Sequence, residues 1–71
     1  MKYYVAELEN ANSCRKATEI EAKNLLCAKI KASRNQAYFG TVLEIGTEVN
    51  EDGYIAHPIA RKENDKWTTL D

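Results

Sequence analysis

Residues 22–34 read AKNLLCAKIKASR and have the clearest helical periodicity in the chain. Leu25, Ala28 and Ala32 recur at intervals of three and four residues, and a helix would place them on one face together with Ala22. Because alanine side chains are small, this face can pack closely on a sheet. The segment therefore predicts one helix, beginning at Ala22, with its small-residue face turned to the core.

Alternating segments on both sides of this helix predict strands at residues 2–9, 16–21, 39–45, 54–60 and 66–70. Turn-prone clusters separate them at residues 10–13, 50–53 and 63–65. The second segment allows another interpretation, since Thr18 and Glu21 have the spacing of a capping box that could start the helix at Thr18. Its alternation and the extended preference of Thr and Ile favour the strand. Pro58 lacks a ladder donor and predicts an edge or a bulge in the fourth strand.

The order strand, strand, helix, strand, strand, strand predicts an α+β fold, with a single antiparallel β-sheet and one α-helix packed on one face. Trp67 is large enough to anchor the helix against this sheet. The other face is expected to be wet and to carry Glu, Thr and Lys, as antiparallel sheets permit. A chain of 71 residues is too short for a second core, so a single domain over residues 1–71 is expected.

Composition and residue types argue against catalysis and against a bound metal or cofactor. Ten Lys and Arg against eleven Asp and Glu give a net charge of −1, so the chain as a whole is not attracted to phosphate backbones. Cys14 and Cys27 form no CxxC or Cys/His cluster, and His57 has no Ser, Cys or Asp at a catalytic spacing. We therefore expect no enzyme activity, no catalytic residue, no metal and no cofactor. Glu7 interrupts the apolar N-terminal run, which argues against a signal peptide or membrane span and for action in the cytoplasm.

The helix and the residues after it form the candidate partner-binding surface. The basic residues of the helix are Lys23, Lys29, Lys31 and Arg34, and the acids lie in other segments. The simplest interpretation of such a surface is a solvated helix face. The next residues, NQAYF at 35–39, add two amides and two aromatic rings. In an extended segment Gln36 and Tyr38 would point the same way and form one contact surface.

Several motifs are shared with a known family. They are NS at 12–13, TEIEA at 18–22, AK at 28–29, AS at 32–33, GTV at 40–42 and KENDKW at 62–67, with Leu25, Gln36 and Tyr38 at matching positions. This pattern resembles a family of small phage-encoded anti-CRISPR proteins that inhibit type I-F (Csy, or Cascade) surveillance complexes. The chain departs from the family in a longer hairpin at residues 46–54, in the order of Ile30 and Lys31, and in Phe39.

The resemblance implies a monomer that docks on the backbone subunits of the surveillance complex, in the host bacterial cytoplasm and without a membrane partner. The bound protein would hinder pairing between guide RNA and target DNA, with a secondary contact to either nucleic acid. Gln36 and Tyr38 would take the family's glutamine and aromatic contact positions. Lys29 and Arg34 would take its basic positions, and Lys31 would stand in for the displaced basic residue.

Two other functions fit the same residues. A small phage or bacterial regulatory module could apply the basic helix directly to DNA or RNA, and its binding would then weaken steeply with salt. Alternatively, an accessory subunit could dock a protein partner through Leu26 and Ile30 without any RNA.

Overall fold

The computed structural model describes residues 1–10, 15–37 and 40–70. Its elements are β1 (Lys2–Leu8), β2 (Thr18–Glu21), α1 (Leu25–Arg34), β3 (Val42–Gly46), β4 (Pro58–Glu63) and β5 (Lys66–Thr69). The strands form one five-stranded sheet in the order β2-β1-β3-β4-β5, and every neighbouring pair is antiparallel. The predicted α+β fold and its order of elements are confirmed.

The start of the helix differs from the prediction by three residues. Asn24 has an extended backbone and its Oδ1 accepts a hydrogen bond from the Cys27 N–H at 2.9 Å, so it caps the helix and α1 begins at Leu25. The alternative start at Thr18 is wrong, because residues 18–21 pair with β1 as a strand. Ala22 lies between the two elements and is buried. The helix in the described part of the chain is too short to cross a membrane.

The main core lies between α1 and the sheet. Its buried residues are Tyr3, Ala22, Ala28, Ala32, Leu43, Ile45 and Ala60. Ala28 and Ile45 are fully buried, and Trp67 packs against the cluster from β5. The small-residue face of the helix and the anchoring position of Trp67 are as predicted.

The face of the sheet opposite the helix was predicted to be solvent-exposed, and this prediction is wrong for part of that face. Ala6, Leu8 and Val42 form a second buried cluster, with Ala17 and Ile55 packed on it. Ile55 reaches this face because residues 47–57 leave the sheet and fold back, through a bridge between Val49 and Ile55. Burial of these apolar side chains stabilises the fold in addition to the small main core.

The fourth strand starts later than the sequence predicts. Residues 47–57 connect β3 to β4 and form an excursion from the sheet. Residues 54–57 belong to this excursion, and β4 begins only at Pro58. Gly46 pairs with Pro58 while Ile45 pairs with Ala60, so Ile59 is an extra residue on the β4 side. The bulge predicted from Pro58 is therefore present, and it places the proline where no ladder donor is needed.

Gly46 faces the excursion so closely that a side chain has no room there. A Cβ added to it would lie 2.5 Å from Ile55 Cγ2 and 3.3 Å from the His57 carbonyl oxygen. We expect Gly46→Ala to lower the free energy of unfolding by about 1–3 kcal/mol, as overpacking does. Urea unfolding should show that Gly46→Ala combined with Ile55→Ala costs less than the sum of the two single changes. Full additivity would show that the two residues do not meet.

Candidate partner-binding site at the end of the helix

Four residues on neighbouring strands form a row across the sheet near the C-terminal end of α1. In register order they are Glu7 on β1, Leu43 on β3, Lys62 on β4 and Trp67 on β5. Residues directly opposite each other in antiparallel strands point to the same face. Leu43 belongs to the main core, so the whole row faces the helix.

Gln36 lies over this row, two residues after the helix ends. Its Nε2 donates to Thr41 Oγ1 at 2.8 Å, and its Oε1 accepts from Lys62 Nζ at 3.3 Å. The side chain is half-buried. Both ends of the amide are therefore held by the protein itself, which fixes the orientation of Gln36 before any partner arrives.

Glu7 holds the segment that follows Gln36. One carboxylate oxygen accepts from the Ala37 N–H at 2.8 Å, and the other accepts from the Thr41 hydroxyl at 2.8 Å. Hydrogen bonds to an ionised carboxylate are stronger than neutral ones. Because residues 37 and 41 bracket the segment, one side chain of β1 fixes both of its ends.

Ser33 and Trp67 complete the site on the β5 side. Ser33 Oγ accepts from Trp67 Nε1 at 3.3 Å and from Lys62 Nζ at 3.4 Å. The Lys29 ammonium lies 6.0 Å from the centre of the Trp67 ring, at the outer limit of a cation–π contact. Lys29 is thus positioned beside the same indole that ties the helix to β5.

The predicted contact residues are distributed over both flanks of the helix. Gln36 and Lys29 lie toward β4 and β5, whereas Lys31 donates a hydrogen bond to the Glu21 backbone carbonyl on β2. Arg34 is exposed at the last turn. Tyr38 lies outside the described residues, so its pairing with Gln36 on one surface stays a prediction.

Glu7, Thr41 and Lys62 were not singled out as site residues from the sequence. In the alternation of β1, Glu7 lies on the helix-facing side together with Tyr3 and Val5. What the alternation lacked was the register that brings Lys62 opposite Leu43. A glutamate on the core-facing side of a strand was the available signal, because such a carboxylate needs hydrogen-bond partners.

Removing the Glu7 carboxylate should loosen this site. We expect Glu7→Ala to lower the free energy of unfolding by about 2 kcal/mol, because it leaves the Ala37 N–H and the Thr41 hydroxyl without their charged acceptor. Glu9→Ala is the matched control, since Glu9 is an exposed glutamate paired with Arg15 at the surface and its loss should cost less than about 1 kcal/mol. Equal urea midpoints for the two variants would contradict the anchoring role of Glu7.

No protein-family model matches this chain, and no curated protein matches it by sequence. Among solved structures, AcrIF9 superposes with a TM-score of 0.81, covering 100% of this chain and 87% of its own length, at 38% sequence identity. With that similarity over the whole sheet and helix, the fold and the motifs define a small anti-CRISPR protein. More narrowly, the chain belongs to the AcrIF9 family of phage proteins, whose anti-CRISPR function is directed against type I-F systems. The family resemblance seen in the sequence is confirmed.

Proposed function

We propose that this protein binds the backbone subunits of the type I-F (Csy) surveillance complex and blocks pairing of its guide RNA with target DNA. It acts as a single-domain monomer in the host bacterial cytoplasm, by occupancy and without catalysis or a cofactor. The observation that carries the proposal is the orientation of Gln36 by Thr41 and Lys62 beside the basic end of the helix.

A contact residue that is already fixed supports tight binding. Ordering a mobile side chain at an interface costs free energy, about 0.5–1.5 kcal/mol for each long side chain. In this protein Glu7 and Thr41 hold the backbone and the amide in place before binding. The Gln36–Tyr38 segment is therefore the proposed centre of the interface with a backbone subunit.

The cations around this centre are proposed to make the secondary contact. Lys29, Lys31 and Arg34 are the basic residues of the helix itself, and phosphates of guide RNA or target DNA would pair with those that face no protein carboxylate. Guide-directed recognition proceeds by base pairing that extends from a seed within a positively charged channel. A compact protein lodged beside the guide stops this extension without any chemistry.

Binding to purified complexes tests the proposal directly. Tagged protein should retain a type I-F surveillance complex through a wash at about 0.5 M NaCl, and should retain a type I-E complex less well or not at all. Crosslinking of the retained complex should join the protein to backbone subunits. If the isolated protein instead binds free DNA, with affinity falling steeply as salt rises, it is a direct nucleic-acid-binding module and the proposal is wrong.

A further inference from the structure

The outward face of α1 carries two aliphatic side chains that the fold does not use. Leu26 is 66% exposed and Ile30 is 46% exposed. They lie four residues apart and are therefore neighbours on the helix surface. Neither belongs to the two buried clusters or to the residues packed against them. Among residues 1–10, 15–37 and 40–70, burial therefore does not account for either exposed side chain.

Cations surround this aliphatic pair. Lys29 on one flank approaches Trp67, and Lys31 on the other approaches Glu21, so the row between these flanks faces away from the sheet. Arg34 continues the row at its end. Residues 22–34 contain no acid, and the nearby Glu21 carboxylate is taken by the N-terminal amine at 2.9 Å, which lowers the pKa of Glu21. The surface is thus an apolar centre with a positive rim.

This combination distinguishes between partners. Nucleic acid would engage the cations but would gain nothing from exposed Leu and Ile at its phosphates. A second copy would set the same positive rim against itself, and the pair exposes only on the order of 200 Å² where a standard interface buries about 800 Å² on each partner. A protein surface with an apolar centre and a carboxylate rim complements both features.

We propose that Leu26 and Ile30 dock on such an acidic, apolar protein surface of the type I-F surveillance complex, as a second contact besides the Gln36–Tyr38 segment. This proposal rests on the proposed function. The small area makes it an auxiliary contact. It adds affinity and orients the helix, and the surrounding cations accelerate association with the carboxylate rim.

The test compares affinities of full-length variants for the purified type I-F complex. Leu26→Gln with Ile30→Gln should weaken binding about tenfold or more, chiefly by faster dissociation, while urea unfolding stays close to wild type. Tyr54→Gln is the matched control, because Tyr54 is an exposed, largely apolar residue in the excursion between β3 and β4. This variant should bind the complex with wild-type affinity. Lys31→Glu with Arg34→Glu should slow association and flatten its dependence on salt.

Three results would overturn the proposal. The first is an affinity for the type I-F complex that stays at the wild-type value in the Leu26→Gln, Ile30→Gln variant. This result would overturn the proposal even if the Lys31→Glu, Arg34→Glu variant lost binding to nucleic acid. The second is a wild-type dimer in sedimentation experiments that the double variant abolishes, since the pair would then bind a second copy. The third is a wild-type protein that does not bind the complex at all, and this result alone would also overturn the proposed function.

Discussion

Replacing Gln36 and Tyr38 together with alanine is expected to abolish inhibition of type I-F immunity while leaving the protein folded. Anchor residues at the centre of an interface each contribute about 2 kcal/mol or more, so loss of both should weaken binding by roughly 1,000-fold. The fold should survive, because Gln36 lies outside the two buried clusters. Plaque formation by a phage targeted by a type I-F system provides the readout.

The control for this experiment must remove similar groups elsewhere. Tyr54 and Asn50 lie in the excursion between β3 and β4, and Tyr54 is exposed. Asn50 shapes the local turn by accepting from the Asp52 and Tyr54 N–H groups, so Tyr54→Ala alone is the cleaner control. It should protect phage as well as wild type does. Full protection by the Gln36 and Tyr38 double variant would show that these residues are not the contact.

Ile45→Ala is expected to have the largest effect on stability. Ile45 is fully buried between the helix and the sheet, and truncating such a residue costs about 2–5 kcal/mol. A domain of this size has a total stability of about 4–10 kcal/mol, so much of the variant would be unfolded at 37 °C. Thermal unfolding followed by circular dichroism measures the effect.

Ile30→Ala is the matched variant for Ile45→Ala. It removes the same atoms from a side chain that is 46% exposed, so we expect a loss below about 1 kcal/mol. Comparable losses of stability in the two variants would mean that Ile30 is packed in the folded protein. That result would also remove the basis for treating the outward helix face as a docking surface.

Much of the fold follows from local patterns. The spacing of Leu25, Ala28 and Ala32 identified the helix and its buried face, and the missing N–H of Pro58 indicated the bulge. The predicted helix start was early because the capping role of Asn24 depends on a bond to Cys27 that the apolar pattern does not report. The predicted fourth strand was early because the sequence of residues 54–57 alternates well, while its backbone is used to cover the second sheet face.

The candidate site was less predictable, for reasons of register. Gln36 was predicted as a contact position, but one of the two residues that orient it, Lys62, lies 26 residues further along the chain. Only the pairing of β3 with β4 brings Lys62 under the end of the helix. Glu7 meets Thr41 through the pairing of β1 with β3, across 34 residues of sequence. Long-range hydrogen bonds of this kind follow from the assembled sheet and not from local periodicity.

Target unwinding by the purified type I-F complex tests the central claim most directly. The measurement follows the fluorescence of a base analogue placed in the target DNA next to the seed, which rises when the strands separate and the guide RNA pairs. If the protein is added before DNA, we expect no rise; if it is added after pairing is complete, we expect no reversal. A normal rise in fluorescence from a complex shown to carry the bound protein would contradict the claim that it blocks pairing.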